Sequence, residues 1–196
     1  MSLFPVRSTI SAEERNALMR QRPLLIWFTG FSGAGKSTIA AALERALFEK
    51  GFKTFHLDGD NVRQGLNQNL GFSEADRKEN IRRVGEVSKL MLDAGLIVLS
   101  AFISPFSNDR ETVKKTVGAD YFFEVFVNCP IEVCEQRDVK GLYQKARAGS
   151  LPDFTGIDSP YEVPHKPSIE IRSNEISVAE SVELLLEKII PIIQYK

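Results

Sequence analysis

Gly30, Gly35, Lys36 and Ser37 fall in the spacing G-x-x-x-x-G-K-[ST]. In that pattern the glycines let backbone N–H groups wrap phosphate oxygens, the lysine neutralises charge and the hydroxyl reaches Mg²⁺. The loop Gly30-Phe31-Ser32-Gly33-Ala34-Gly35-Lys36-Ser37-Thr38 therefore points to a nucleoside triphosphate, ATP or GTP, as ligand. A dinucleotide fingerprint fits less well, because Thr38 stands where G-x-G-x-x-G/A needs a small packing residue. A Mg²⁺–triphosphate also needs a carboxylate beside the metal, usually at the end of a neighbouring strand. Asp58-Gly59-Asp60-Asn61 offers two. Asp58 is assigned with Ser37 to the metal and Asp60 to the attacking hydroxyl, a division of labour that is a hypothesis; the bland alternative is a solvated Asp-Gly turn.

Cations follow in two groups: Arg63, Arg77, Lys78, Arg82 and Arg83 after the acidic turn, then Arg137, Lys140, Lys145 and Arg147. For Lys78, Arg82 and Arg83 a solvated helix face is the plainer reading. Arg77 and Asn80 are three apart in a first helical turn and can point together at an anion. Arg137 and Arg147 flank a glycine-containing segment that could close cations over a transferring phosphate. Phe72 and Phe154 stand in polar, turn-rich surroundings, where they either stack on a base or pack as a satellite of the core.

The elements that must position these residues can be read in order. Ser11-Ala-Glu-Glu14 is a capping box opening a short helix to about Arg20, after a loose arm over residues 1–10. Leu24–Thr29 is a strand leading into the loop, followed by a helix to about Lys50 that Gly51 stops. Further strands are expected at Lys53–Leu57, Leu96–Ile103, Phe122–Val127 and Ile169–Ile171. Loop or short-helix residues run to Gly71, and Ser73 then caps a long helix with Ile81, Val84, Val87 and Met91 on its inner face. A helix from about Pro130 to Arg137 precedes residues 138–168, too long for an ordinary connection and hence a candidate lid. Ser177-Val-Ala-Glu180 caps a terminal helix with Val182, Leu185, Leu186 and Ile189 inward. Alternating strands and helices give an α/β fold: a three-layer, mostly parallel five-stranded sheet with helices on both faces and a lid. Residues 1–22 form an arm and short helix, 23–196 one nucleotide-binding domain. Ligands in such a sheet sit beyond the carboxyl ends of the strands, which gathers Gly30–Ser37, Asp58–Asn61 and Phe102–Ser104 along one rim.

Composition bounds the rest. The 196 residues suit a single globular domain, and a formal net charge of −1 gives no field for nucleic acid. Cys129 and Cys134, five apart, lack metal-ligand spacing and read as reduced thiols. No apolar run approaches the roughly 18 residues of a membrane span, so a cytoplasmic enzyme that contacts neither membrane nor nucleic acid is expected.

Several longer stretches are more specific than the phosphate loop: Asp58-Gly-Asp-Asn-Val-Arg-Gln-Gly-Leu-Asn67, Leu70-Gly-Phe-Ser73, Asp76-Arg77 with Glu79-Asn-Ile-Arg-Arg83, Phe102-Ile-Ser-Pro105, Lys140-Gly-Leu-Tyr-Gln-Lys-Ala-Arg147 and Phe154-Thr-Gly-Ile-Asp-Ser-Pro-Tyr161. In these the chain resembles the adenylylsulfate kinase family of P-loop kinases, from about Trp27 to Glu162. The resemblance implies transfer of the γ-phosphoryl of MgATP to the 3′-hydroxyl of adenosine 5′-phosphosulfate (APS), giving 3′-phosphoadenosine 5′-phosphosulfate and ADP in sulfate assimilation. Carried over by position, it implies an APS site made of Asp60, Asn61, Val62, Arg63, Phe72, Arg77, Asn80, Ile103, Ser104, Lys140, Phe154 and Thr155, with adenine between the two phenylalanines. It also implies a homodimer, possible association with ATP sulfurylase, and a phosphorylated serine at Ser104; in-line transfer between two bound substrates needs no such covalent relay. Two departures are visible. Ser107 stands where many members carry arginine, and residues 4–10 lack the histidine-containing stretch common there. Against a GTP-dependent switch, Val127-Asn-Cys-Pro130 stands where a guanine-reading Asn-Lys-x-Asp would be. A kinase of another small hydroxyl substrate is the nearest rival among enzymes, and only the Asp58–Asn80 block speaks against it; a non-catalytic nucleotide-binding module is the other alternative, and would be expected to lose Lys36 or Asp60, both of which are present.

Overall fold

A computed structural model describes residues 8–195. The elements in chain order are α1 (Ala12–Met19), β1 (Leu24–Thr29), α2 (Lys36–Glu49), β2 (Thr54–Asp58), α3 (Gly59–Gln64), α4 (Glu74–Asp93), β3 (Ile97–Ala101), α5 (Ser107–Val117), β4 (Phe122–Asn128), α6 (Ile131–Arg137), α7 (Leu142–Arg147), β5 (Ile169–Arg172) and α8 (Val178–Ile193). The strands lie in the order β2-β3-β1-β4-β5, and all four pairings are parallel. The expected α/β class and five strands are found, with the sheet wholly rather than mostly parallel.

The continuous apolar run of β1 is explained by its central place, with every residue buried. Alternate side chains enter two cores. Leu24, Ile26 and Phe28 meet Ile39, Leu43 and Leu47 of α2 and Leu185, Ile189 and Ile193 of α8 on one face. Leu25 and Trp27 meet Ile81, Val84 and Leu92 of α4 and Val113 and Val117 of α5 on the other. Period-2 strands between period-3.6 helices thus give the three layers. Both capping boxes form: Ser11 with Glu14 and Ser177 with Glu180. The inner stripes are graded, with Ile81, Val84, Leu185 and Ile189 buried and Val87, Met91, Val182 and Leu186 half-buried. At the other end of the sheet from the rim, Gln21 is fully buried, its amide donating to the carbonyls of Lys53 and Gly95 and accepting from the Lys53 N–H.

Three expectations need revision. The third strand ends at Ala101, not Ile103, because the chain turns off the sheet there and Ser104 adopts a φ of 41°. α5 was not expected; its polar sequence buries only two apolar side chains, and its N-cap Phe106 supplies no side-chain cap. Residues 138–168 are no bare loop: they contain α7, whose first turn is capped by the Asp138 carboxylate accepting from Tyr143 and Gln144 N–H. Buried Tyr143, Ala146, Phe154 and Thr155 anchor this segment to the body. Most of the loose arm expected over residues 1–10 lies outside the described residues.

Candidate active site

The strand order places the ends of β2, β3 and β1 side by side, and the three predicted segments therefore share one rim. The phosphate loop leaves β1 at Gly30, whose φ of 144° and close approach exclude a side chain: a Cβ there would meet the Val127 carbonyl oxygen at 2.4 Å. It feeds α2, which has no side-chain cap and no acid in its first turn. Fourteen aligned peptide units with free N–H groups at that end make an anion site. Ser37 and Thr38 are exposed at this helix start, and buried Ala34 packs into the core.

Lys36 is buried, its Nζ donating to the carbonyls of Gly30 at 3.0 Å and Phe31 at 2.8 Å. Burial disfavours its charged form and lowers its pKa to about 8. The charge that would meet phosphate is therefore full below that pH and lost above it. In the free protein kcat/KM for ATP should fall through an apparent pKa near 8 as pH rises. A profile flat to pH 9.5 would contradict this assignment of Lys36.

The acidic turn after β2 meets the loop directly. Ser37 Oγ donates to Asp58 Oδ2 at 2.6 Å, and Asp58 Oδ1 accepts from the Asp60 N–H at 3.0 Å as N-cap of α3. Asp60 itself is exposed and forms an ion pair with Lys140, the lid cation. Asn61 is exposed beside it, and Val62 is buried against the core that holds Trp27 and Phe102.

On the acceptor side, the Arg63 guanidinium lies 4.5 Å from the centre of the exposed Phe72 ring and donates to the carbonyls of Leu70 and Gly71. Arg77 donates to the Phe72 carbonyl at 2.8 Å, to Thr155 Oγ1 at 2.9 Å and to the Asp153 carbonyl, tying α4 to the lid. Asn80 does not join it. Its buried amide accepts from Asn67 Nδ2 at 2.9 Å and supports the α3–α4 connection from beneath. Phe154 is buried edge-on to Tyr143, with ring centres 4.9 Å apart, so in this conformation it belongs to the core and only Phe72 offers an open face.

Arg137 touches the phosphate loop, donating to the Gly33 carbonyl at 3.3 Å as well as to Ser173. Arg147 is instead paired with Glu135 at 2.7 Å. Ile103 is half-buried, and its carbonyl accepts from Thr29 Oγ1 at 2.7 Å. Ser104 is 2% exposed, and its hydroxyl accepts from Trp27 Nε1 and donates to Thr29 Oγ1, each at 3.0 Å. It faces the protein rather than the rim.

Two residues that bind the lid to the donor loop were missed from the sequence. Tyr143 donates from its hydroxyl to the Ser32 carbonyl at 2.9 Å, and Tyr161 lies against Phe31 with ring centres 4.9 Å apart. Gly156 lets the lid turn approach so closely that a Cβ would stand 2.9 Å from the Phe31 ring. The signal for both tyrosines was their place inside the stretches Lys140–Arg147 and Phe154–Tyr161, where the resemblance drew attention to charge and phenylalanine instead.

The arrangement can bind a polyphosphate at α2, offer hard oxygen ligands from Ser37 and Asp58, and hold a second anionic molecule between α3, α4 and the lid. The family profile described as Adenylylsulphate kinase matches residues 22–172. The chain is 60% identical to the adenylyl-sulfate kinase of Marinobacter nauticus over 177 residues, covering 90% of this chain and 89% of that one. It is 58% identical to the adenylyl-sulfate kinase of Vibrio parahaemolyticus, covering 92% and 88%. Among solved structures, the APS kinase of Mycobacterium tuberculosis in complex with AMPPNP and APS superposes with a TM-score of 0.82 at 47% identity, covering 86% of this chain and 98% of that one. A phosphate loop joined to an acidic turn, an anchored lid and these matches across most of the chain lead to one conclusion: the chain belongs to the adenylylsulphate kinase family.

Proposed function

We propose that the protein transfers the γ-phosphoryl group of MgATP to the 3′-hydroxyl of APS, with the phosphate loop as donor half and the α3–α4–lid surface as acceptor half. The observation that carries this reading is the junction between the halves: Ser37 bonded to Asp58 at 2.6 Å, and Asp60, two residues on, turned toward Lys140. Oxygen ligands of this kind suit Mg²⁺, which would neutralise charge on the β- and γ-phosphates; Ser37 and Asp58 would hold it. Lys36 and the N–H groups of the loop stabilise negative charge on the phosphates. Asp60 orients the acceptor hydroxyl and takes its proton as the new O–P bond forms and the bond to the β-phosphate oxygen breaks. Lys140 then has two anionic partners within reach, Asp60 and the transferring group. Arg63, Arg77 and Phe72 are the candidates for the phosphosulfate and adenine. In the family-implied pose Phe154 completes the sandwich, which requires its ring to move off Tyr143 within the lid.

Transfer is direct. The Ser104 hydroxyl is buried and bonded on both sides, so placing a phosphoryl group on it would remove the proton it donates to Thr29 and demand room in a closed site. Single-turnover labelling with γ-³²P-ATP is expected to leave the protein unlabelled while product forms; a phosphoserine that rises and decays at the turnover rate would overturn direct transfer. Acceptor choice is tested by ADP release. It should depend on APS and vanish with a 3′-deoxy analogue, whereas equal ADP release with the deoxy compound would remove the 3′-hydroxyl from the reaction.

Self-association belongs to the same proposal. Leu18 and Leu90 are 83% and 69% exposed, apolar area that a subunit contact would cover, and sedimentation at micromolar concentration tests it. Among the described residues no helix is long and apolar enough to cross a membrane.

A further inference from the structure

One buried cation touches no residue of the phosphate loop, and of the residues assigned to APS it meets only the Ser104 backbone, yet it holds the segment between the two halves. Arg110, in the first turns of α5, is 4% exposed. Its guanidinium donates to the Ser104 carbonyl at 2.6 Å, the Glu162 carbonyl at 2.7 Å, the Glu124 carboxylate at 3.0 Å and the Ser107 hydroxyl at 3.2 Å. It also lies 5.8 Å from the centre of the Tyr161 ring. A rigid planar fork of five donors can hold four acceptors at once in this way; an ammonium, a point charge with three rotatable donors, cannot match it.

What it holds is under strain. Ser104 has a φ of 41°, a region that a residue with a Cβ keeps only when its surroundings over-determine it. Arg110 fixes the Ser104 carbonyl, while Trp27 and Thr29 fix its hydroxyl. Thr29 also bonds the Tyr161 hydroxyl at 2.9 Å and the Ile103 carbonyl at 2.7 Å. Glu162 closes the ring, its N–H donating to Pro105 at 2.8 Å and its carboxylate accepting from the Ser107 N–H at 2.7 Å. The end of β3, the return of the lid at Tyr161–Glu162 and the start of α5 therefore form one unit with Arg110 at its centre.

We propose that Arg110 is a positioning residue for the acceptor half of the site: it locks Ile103–Ser104 and the lid return in place without touching either substrate. The proposal rests on APS as acceptor. Without the fork, Ser104 relaxes out of the left-handed region and the rim beside the acceptor shifts, whereas the phosphate loop keeps its own glycine turns.

The test compares wild type with Arg110→Lys, varying each substrate in turn and recording the indole N–H resonance of Trp27, the one tryptophan in the chain. The expected result is a KM for APS raised about tenfold, a KM for ATP within about twofold, and a shifted or broadened indole resonance. Unchanged KM for APS in an active variant, or equal rises in both KM values, would overturn the positioning role. Wild type inactive on APS would instead overturn the acceptor reading; the indole resonance then decides the lock by itself, an unshifted signal refuting it. Should Arg110→Lys not fold, Tyr161→Phe carries the test, since it keeps the ring beneath Arg110 and removes only the bond to Thr29. It should raise the KM for APS about threefold and leave that for ATP alone, and no change would count against the lock.

Discussion

Lys36→Ala lowers kcat for phosphoryl transfer by about a thousandfold while the protein remains folded. The size follows from what the ammonium does: it stabilises charge on the transferring phosphates in a water-poor site, where one such donor is typically worth about 10²–10³ in rate. The fold survives because, among the described residues, Lys36 makes no ion pair and its Nζ donates to the carbonyls of Gly30 and Phe31 alone. Its pKa of about 8 shows that burial disfavours the charge. A lysine whose folded pKa lies below its unfolded value makes the folded state less stable below about pH 8 than the neutral side chain would, and this cost fades as pH rises toward the unfolded pKa. Removing the charge should accordingly leave the melting temperature within about 5 °C of wild type at pH 7. Turnover within tenfold of wild type, measured at saturating ATP, would show that the lysine does not face the transferring group.

The second large effect separates the two acids. Asp60→Asn should lower kcat by about 10²–10⁴, the contribution of a positioned proton acceptor, with little change in the Mg²⁺ concentration needed for half-maximal rate. Asp58→Asn should act differently, because Asp58 meets Ser37 at 2.6 Å and caps α3 through the Asp60 N–H. Its loss weakens a carboxylate ligand, so activity should be recovered in part at high Mg²⁺. If Asp60→Asn kept near wild-type rate while Asp58→Asn lost it at all Mg²⁺ concentrations, the assignment would be reversed. The Lys140 partner makes a further distinction: Asp60→Asn frees the lid cation, so a change in the KM for APS is expected alongside the fall in kcat.

The donor half was legible in the sequence because each of its features is local. Leu24–Phe28 is apolar throughout, Gly30 has no room for a Cβ, and helix formers follow Lys36. The acceptor half was legible only where long stretches resembled a family, since its contacts span the chain: Arg77 meets Thr155 across 78 residues, and Asp60 meets Lys140 across 80. Side-chain direction was the part least available. Arg77 and Asn80 share a helical turn, yet one reaches the lid and the other turns inward to Asn67. Arg147 and Arg137 both looked like lid cations, but Arg147 pairs with Glu135 while Arg137 donates to the Gly33 carbonyl of the phosphate loop. Arg110 was not singled out by the sequence at all. Its burial depends on Glu124, Glu162 and Tyr161, none close in sequence to one another except the last two. α5 itself was hidden because tertiary packing of Val113 and Val117 against α4, rather than a capping residue or a long apolar stripe, forms it.

The central claim is that the donor loop and the acceptor surface act together on one hydroxyl. Incubation with MgATP and APS, followed by chromatography and ³¹P NMR of the products, tests it most directly. The account predicts ADP and a new phosphomonoester on the 3′-oxygen of the phosphosulfate, formed one for one. ADP without that ester, or phosphate on any other oxygen, would contradict it.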